Sequence, residues 1–208
     1  MKAIAFPTAR DCGKQQRSEE KLVTKYNAVA VQTDFPNPLS RADMKENTGR
    51  MVQLITMAVE GYKPFLPVKL VVFPEFAHAA PVYHTLKELV SRLGVPIPNE
   101  HTEEVAKKAR EFGLWVQTGS MLEIDPKYPG ALFNTTCLVG PRGILFKYRK
   151  IYPWIPWEVH TSPHDIPDYE EELYPVAETP IGRIGAAICY DWLFPEVLRQ
   201  LAANGAEV

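Results

Sequence analysis

The sequence predicts an α/β fold built around a mixed sheet, and two features of the chain support this prediction. Up to Ser120, short apolar runs typical of strands alternate with segments of helical periodicity, and these runs are continuous rather than interrupted by polar residues. Continuous runs are typical of a sheet that is covered on both faces. Further along, two strand-like runs flank Pro141-Arg142-Gly143, which predicts a hairpin and therefore antiparallel strands in the same sheet.

The first predicted elements are two strands separated by a long helix. The apolar run at 28–32 predicts a buried strand. In the next segment, apolar residues recur at helical spacing between 51 and 62, which predicts a helix of about 20 residues with Ser40 or Asp43 as its cap. The run at 68–73 predicts a second strand that leads directly into Pro74 and Glu75.

The remaining elements continue the alternation and end in a helix. Pro195 suits the first turn of that last helix, because a missing N–H needs no partner there, and we expect Leu198 and Leu201 to face the core. The other predicted elements are helices at 83–93 and 102–112 and strands at 114–120, 133–139, 144–148, 176–179 and 184–188.

The composition is that of an ordinary globular protein and excludes several classes. The 208 residues are 46% hydrophobic and 23% charged, which argues against disordered, collagen-like and coiled-coil proteins. The apolar runs are too short to span a bilayer, and a net charge of −2 gives no electrostatic support for a nucleic-acid or membrane partner. Residues 1–25 are polar and aperiodic, so we expect an N-terminal extension before a single domain at 26–208.

The cysteines and histidines predict neither disulfides nor a metal site. Cys12, Cys137 and Cys189 are odd in number and far apart, which fits a reducing compartment. Because the N-terminus also lacks the apolar segment of a signal peptide, we expect a cytoplasmic protein. His160 and the pair His164-Asp165 lie in a proline-rich segment, where we expect a solvated loop rather than metal ligands.

Three chemically useful residues follow predicted strands, where open α/β sheets bind their ligands. Glu75 follows an apolar strand and suits a general base, although a Glu turned to solvent is the alternative. Lys150 ends the hairpin in a basic stretch that by itself also fits a solvated edge. Small residues lead into Cys189 and a helix follows, which is the arrangement of a nucleophile elbow, although a buried structural cysteine is the alternative.

Three motifs around these residues, in this order along the chain, resemble the nitrilase (carbon–nitrogen hydrolase) superfamily. They are VVFPEF at 71–76, YRKIYPW at 148–154 and ICYDWLFPE at 188–196, and the resemblance extends from about residue 26 to the end. It implies a nitrilase-like α-β-β-α sandwich with mixed sheets, and the family's Glu–Lys–Cys set falls on Glu75, Lys150 and Cys189. It also implies that no metal and no organic cofactor is needed.

The segment after the lysine is similar to the aliphatic amidase and formamidase branch of that superfamily. This branch carries a second glutamate eight residues after the lysine, a position that Glu158 occupies here. Tyr190 and Asp191 follow the cysteine where true nitrilases usually carry Trp-Glu, which is closer to amidases and carbamoyl hydrolases. Phe76 stands where the aliphatic branch tends to have Tyr.

The resemblance implies hydrolysis of a small amide through a cysteine thioester, with release of ammonia and a carboxylic acid. In this hypothesis Glu75 is the general base, and Cys189 is the nucleophile, whose thiolate the Lys150 ammonium would favour. Lys150 and the Tyr190 N–H stabilise the oxyanion, and Glu158 positions the substrate and the attacking water. Trp154 and Tyr190 are the candidate walls of the substrate pocket.

Two alternatives remain open at this point. One is an N-carbamoyl amino-acid amidohydrolase, which needs a cationic clamp for the substrate carboxylate. The other is a catalytically weak, truncated homologue, because the family's next core strand would begin where this chain stops, at Ala206-Glu207-Val208. We therefore expect the domain to be incomplete at its C-terminal end, and we expect a homo-oligomer if the domain is complete.

Overall fold

The computed structural model describes residues 25–154 and 158–208, so the extension predicted at 1–25 lies outside the described residues except for Lys25. Within these ranges the strands form two sheets, one of five strands in the order β1-β2-β3-β4-β5 and one of two strands, β6-β7. The strands are Asn27–Ala30 (β1), Val68–Val72 (β2), Trp115–Glu123 (β3), Phe133–Gly140 (β4), Gly143–Arg149 (β5), Val176–Thr179 (β6) and Gly182–Gly185 (β7).

The larger sheet is mixed, which confirms the predicted fold class. Strands β1, β2 and β3 are parallel, whereas β3 pairs antiparallel with β4 and β4 pairs antiparallel with β5. Because two antiparallel steps restore the direction, β5 runs the same way as β2. The C-terminal ends of β2 and β5 therefore lie at the same edge of the sheet.

Four α-helices are present in the described part of the chain. They are Met44–Tyr62 (α1), Leu86–Arg92 (α2), Glu100–Phe112 (α3) and Pro195–Ala203 (α4). Helices α1 and α3 cover one face of the larger sheet, where residues such as Ile55, Val105 and Val116 form a buried cluster. None of these helices is both long enough and apolar enough to cross a membrane.

The two sheets pack face to face, and α4 covers the outer face of the smaller one. Leu70 and Leu138 of the larger sheet meet Ile181 and Ile184 across the interface between the sheets. The next residue of β7, Gly185, faces the opposite way, as alternation along a strand requires. A Cβ on Gly185 would lie 3.0 Å from the Leu201 side chain of α4. The layers are therefore helix, sheet, sheet and helix, which is the α-β-β-α sandwich that the sequence predicts.

The start of α3 differs from the predicted one because of side-chain hydrogen bonds, whereas the start of α1 agrees with the predicted cap at Asp43. Helix α3 begins at Glu100 rather than at Thr102, since the Asn99 side chain accepts hydrogen bonds from the N–H groups of His101 and Thr102. At α1, Asp43 occupies the cap position without making a side-chain cap bond, and its carboxylate instead accepts a hydrogen bond from the Ser40 hydroxyl.

The last strand and the last helix also differ from expectation. Strand β7 spans Gly182–Gly185 rather than 184–188, because the chain leaves the sheet after Gly185 on its way to Cys189. In α4 the expectation that both leucines face the core is correct for Leu201, which is buried, and wrong for Leu198, which is 38% exposed. Only one side of this helix contacts the sheet.

We expect Leu201→Ala to lower the free energy of unfolding by about 2–5 kcal/mol, because it leaves a cavity between α4 and β7. Leu198→Ala is the matched control on the same helix and should change this free energy by about 0.5 kcal/mol or less. Chemical denaturation followed by circular dichroism measures both. Equal losses would mean that α4 is not packed as described.

Candidate active site

The centre of the candidate site is the ammonium group of Lys150, which is completely buried. Its Nζ lies 2.8 Å from Glu75 Oε1, 2.9 Å from Glu158 Oε1 and 2.8 Å from Glu158 Oε2. Lys150 directly follows β5 and Glu75 follows β2 by three residues, so the parallel course of these strands brings them together. The structure thus joins three of the predicted site residues in one ion cluster.

Glu75 is held by a second donor that the sequence did not reveal. The side-chain amide of Asn134, on β4, donates to Glu75 Oε1 over 2.8 Å, and the Asn134 backbone oxygen accepts the Lys150 N–H over 2.8 Å. The Asn134 amide and the Lys150 ammonium both bind Oε1 of Glu75, which leaves Oε2 of this carboxylate available for other partners. Asn134 therefore orients the carboxylate and ties it to the strand pair that carries the lysine.

The turn after Glu75 is also anchored. Phe76 has a left-handed backbone with φ 58°, a conformation that costs a non-glycine residue about 1 kcal/mol. Its N–H donates to the Ser120 hydroxyl over 2.8 Å, and the His78 N–H donates to the Ser120 backbone oxygen. Strand β3 thereby holds the chain in the sharp bend that points Glu75 toward Lys150.

Glu158 is buried at the end of the loop that follows Lys150. Its Oε2 accepts the backbone N–H of Trp154, and its own N–H donates to the Trp154 backbone oxygen over 3.2 Å. These two bonds join Trp154 directly to Glu158, and residues 155–157 lie outside the described residues. The second carboxylate is therefore fixed by both the lysine and the backbone.

Cys189 starts a short 3-10 turn, Cys189–Leu193, that leads into α4. Its φ is 46°, so the backbone is left-handed at this position, as at Phe76. The residue is exposed, whereas Cys137 is completely buried in β4. The predicted sequence of strand, turn and helix is present, with three residues between β7 and the cysteine.

The electrostatics of the site keep the Cys189 sulfur protonated at rest. The pKa of Cys189 is raised, first by partial burial and then by the charge of Glu75 and a hydrogen bond to it, and the charge of Lys150 offsets this only in part. Burial alone would lower the pKa of Lys150, but hydrogen bonds and charges from Glu158 and Glu75 outweigh burial and raise it. The expected stabilisation of a thiolate by Lys150 is thus outweighed, because two carboxylates surround the ammonium.

The binding role of the two candidate pocket walls, Trp154 and Tyr190, stays a prediction. Trp154 is 42% exposed and contributes its backbone N–H to Glu158. Tyr190 is half-buried, with its ring edge-on to Phe194 at 5.3 Å between centroids. Phe194 in turn stacks on Tyr152, two residues after the lysine.

His160 contradicts the expectation of a solvated loop, whereas His164 and Asp165 are exposed as expected. The reason is a backbone bond from Thr161 to Leu132, which holds the loop against the beginning of β4. Burial and then the charge of Lys150 lower the pKa of His160 to about 3, so its ring is neutral near pH 7. Its Nε2 lies 3.9 Å from Glu158 Oε2.

Comparison with known proteins identifies the family. The carbon–nitrogen hydrolase family matches residues 28–208. This chain belongs to the carbon–nitrogen hydrolase family. The match covers nearly all the residues from β1 to the end of the chain and includes every predicted site residue.

Relatives with known names span the chain but extend beyond it. A formamidase of Bacillus cereus (strain Q1) is 30% identical over 193 residues, which are 90% of this chain and 53% of the relative. Among solved structures, Saccharomyces cerevisiae Nit3, a member of the nitrilase superfamily, has a TM-score of 0.68 and 25% identity over 86% of this chain and 60% of its own. An amidase from Nesterenkonia sp. has a TM-score of 0.62 and 21% identity, over 89% of this chain and 64% of the amidase chain. This carbon–nitrogen hydrolase chain thus spans about half the length of the curated relatives it matches.

Within the two described ranges, this chain has no group of three or more His, Cys, Asp or Glu side chains that could hold a metal ion. Sequence reasoning gave no role in the site to Asn134, to His160 or to Asp191, which is completely buried. The Asn134 signal was weak, because Asn134 is one of three consecutive polar residues in β4 and belongs to none of the three motifs.

We expect Glu158→Gln to lower the pKa of Cys189, because the charge of Glu158 is one of the contributions that raise it. The substitution keeps the shape of the side chain and removes one negative charge beside Lys150. The measurement is the pH dependence of iodoacetamide alkylation at the peptide that contains Cys189, followed by mass spectrometry. The midpoint should move to lower pH in this variant.

The control for that experiment is Glu104→Gln, which removes an exposed carboxylate on α3 that pairs with Lys107. It should leave the alkylation midpoint of Cys189 in place. A midpoint that rises or does not move in Glu158→Gln would show that Glu158 does not influence the cysteine as described.

Proposed function

We propose that this chain hydrolyses the C–N bond of a small neutral amide through a thioester on Cys189. The observation that carries the proposal is the ion cluster at the strand ends, in which Lys150 holds the Glu75 carboxylate at 2.8 Å and, after burial, the charge of Glu75 raises the pKa of the Cys189 thiol. A nucleophile beside a fixed base is the arrangement that covalent catalysis requires. Membership of the carbon–nitrogen hydrolase family and the names formamidase and amidase among the relatives support the same reaction class.

In the first step, Glu75 takes the proton of the Cys189 thiol while the sulfur attacks the amide carbon. A base is needed because the raised pKa of Cys189 keeps the thiol protonated at neutral pH. The carbonyl oxygen becomes an oxyanion that hydrogen-bond donors must stabilise, and one good donor contributes about 3 kcal/mol.

Lys150 and the backbone N–H of Tyr190 are suited to be these donors. An ammonium has three N–H groups, and the contacts of Lys150 go to three oxygens, two of them on Glu158. Transfer of one N–H from Glu158 to the substrate oxygen leaves an ion pair to each carboxylate. The N–H groups at the start of the 3-10 turn have no partner within the turn and point toward its N-terminal end.

In the second step, the C–N bond breaks and Glu75 returns the proton to the leaving ammonia. Water then attacks the thioester carbon, again with Glu75 as the base, and the carboxylic acid leaves as the Cys189 thiol reforms. Glu158 positions the substrate and this water through Lys150. Overall, one amide and one water give one carboxylic acid and one ammonia, without any other reactant.

The charge of the site favours neutral amides over N-carbamoyl amino acids. One positive charge on Lys150 and two negative charges on Glu75 and Glu158 give the cluster a formal charge of −1. The neighbouring cation Arg149 is bound by Glu123, and so offers no clamp for a substrate carboxylate. An anionic substrate would therefore meet repulsion from the described part of the site.

We expect Cys189→Ala to lower ammonia release from amides by at least about 1,000-fold, because the nucleophile is removed. Cys137→Ala should leave turnover nearly unchanged, since Cys137 is buried in β4 and has a raised pKa that keeps it protonated. Initial rates at saturating amide measure both. Equal losses in the two variants would contradict the assignment of Cys189 as the nucleophile.

The substrate class is tested by ammonia release from matched compounds. Formamide and acetamide should react faster than acetonitrile, because Glu158 and the Tyr190-Asp191 pair resemble those of amidases, and faster than N-carbamoylglycine, because that substrate is anionic. A faster nitrile would reverse the choice of reaction, and a faster carbamoyl compound would favour the carbamoyl amidohydrolase. No turnover of any of them would favour the catalytically weak homologue.

A further inference from the structure

We propose that Asp191 is a positioning residue that fixes the turn of Cys189 relative to the segment of Lys150. The proposal rests on the proposed function, because it concerns how the nucleophile and the lysine of that reaction keep their relative places. It stands on the hydrogen bonds of one buried carboxylate to three donors on two separate segments of the chain.

Asp191 accepts three hydrogen bonds from donors around the site. Its Oδ2 accepts the N–H of Ile188 at 3.1 Å and the hydroxyl of Tyr148 at 2.8 Å. Its Oδ1 accepts the N–H of Tyr152 at 2.9 Å. One donor thus precedes the nucleophile by one residue, and the other two lie two residues before and two residues after Lys150.

Asp191 also bonds to Ile188, the residue before Cys189, through both its backbone and its side chain. The Asp191 N–H donates to the Ile188 oxygen at 3.0 Å, while its carboxylate accepts the Ile188 N–H. Cys189 is one of the two residues between them and has φ 46°, which a non-glycine residue keeps only when its surroundings hold it there. The bonds between Asp191 and Ile188 stabilise this backbone conformation, and the bond from Tyr152 to Asp191 links the turn to the segment that carries Lys150.

A carboxylate is required at this position because two backbone N–H groups need separate acceptor oxygens. Asp191 is completely buried and makes no ion pair with any described residue, and burial raises its pKa. A buried charge that only neutral donors satisfy is an expensive way to stabilise a fold, since desolvation opposes it. An asparagine has one acceptor oxygen, so either the Ile188 or the Tyr152 N–H would lose its partner.

The test compares Asp191→Asn with Tyr148→Phe on acetamide hydrolysis. Asp191→Asn should lower kcat per active site by about 100-fold with little change in KM, because a shift of about 1 Å between reacting groups has an effect of this size. Tyr148→Phe removes one side-chain donor to Asp191 and keeps both backbone bonds, so it should retain kcat within about fivefold. The number of active sites is counted by covalent labelling of Cys189.

Thermal melts of both variants separate positioning from a purely structural role. If Asp191 only supported the fold, Asp191→Asn would reduce the melting temperature and the number of labelled sites but leave kcat per labelled site unchanged. That result would overturn the proposal. An equal loss of kcat in Tyr148→Phe would also overturn it, because the backbone bonds would then not be the decisive ones.

A readout that does not need turnover keeps this test distinct from that of the proposed function. If the parent protein releases no ammonia from amides, the proposed function fails, and the position of Cys189 is then followed by its pH profile of iodoacetamide alkylation. Asp191→Asn should lower the pKa of Cys189 toward that of an ordinary cysteine, because the sulfur moves away from Glu75. An unchanged profile in a folded variant would overturn the proposal.

Discussion

The completely buried ammonium of Lys150 is the constraint on which the rest of the site depends. A buried cation is tolerated only when carboxylates pair with it, and removing one partner of such a pair typically costs about 3–5 kcal/mol. The end of β2 and the loop after β5 must therefore deliver Glu75 and Glu158 to within 3 Å of the same nitrogen. The left-handed turn at Phe76 and the backbone bonds between Trp154 and Glu158 are local consequences of this requirement.

The layered architecture explains how a distant segment joins this cluster. Two antiparallel steps in the larger sheet place the ends of β2 and β5 at one edge, and packing of the second sheet brings the turn after β7 to the same edge. Burial raises the pKa of Cys189, and the carboxylates that stabilise the ammonium raise it further, so that the opposing effect of the Lys150 charge is outweighed. In the proposed reaction a base is therefore required at the moment of attack, and Glu75 is the carboxylate whose charge acts most strongly on the thiol.

The sequence predicted the elements well where local pattern decides them. The hairpin of β4 and β5 and the long helix α1 lie close to the predicted ranges, because periodicity and turn residues act over a few positions. The sequence predicted burial poorly where the burial of a residue depends on a partner that is distant along the chain. Whether Leu198 is exposed depends on how α4 lies on β7, and whether His160 is buried depends on a bond between Thr161 and Leu132. No pattern within either segment contains that information.

The sequence by itself determined the order of strands and helices and, through three motifs, the candidates Glu75, Lys150 and Cys189 with Glu158 as the fourth. Only the tertiary structure decided the contacts of Asn134 with Glu75 and of Asp191 with Tyr148, since these partners lie 59 and 43 residues away along the chain. It also decided that the sulfur rests as a thiol, because a pKa is the sum of burial and charges contributed by different segments. Local sequence encodes backbone geometry, whereas hydrogen-bond partners, burial and electrostatic balance exist only once the layers have packed.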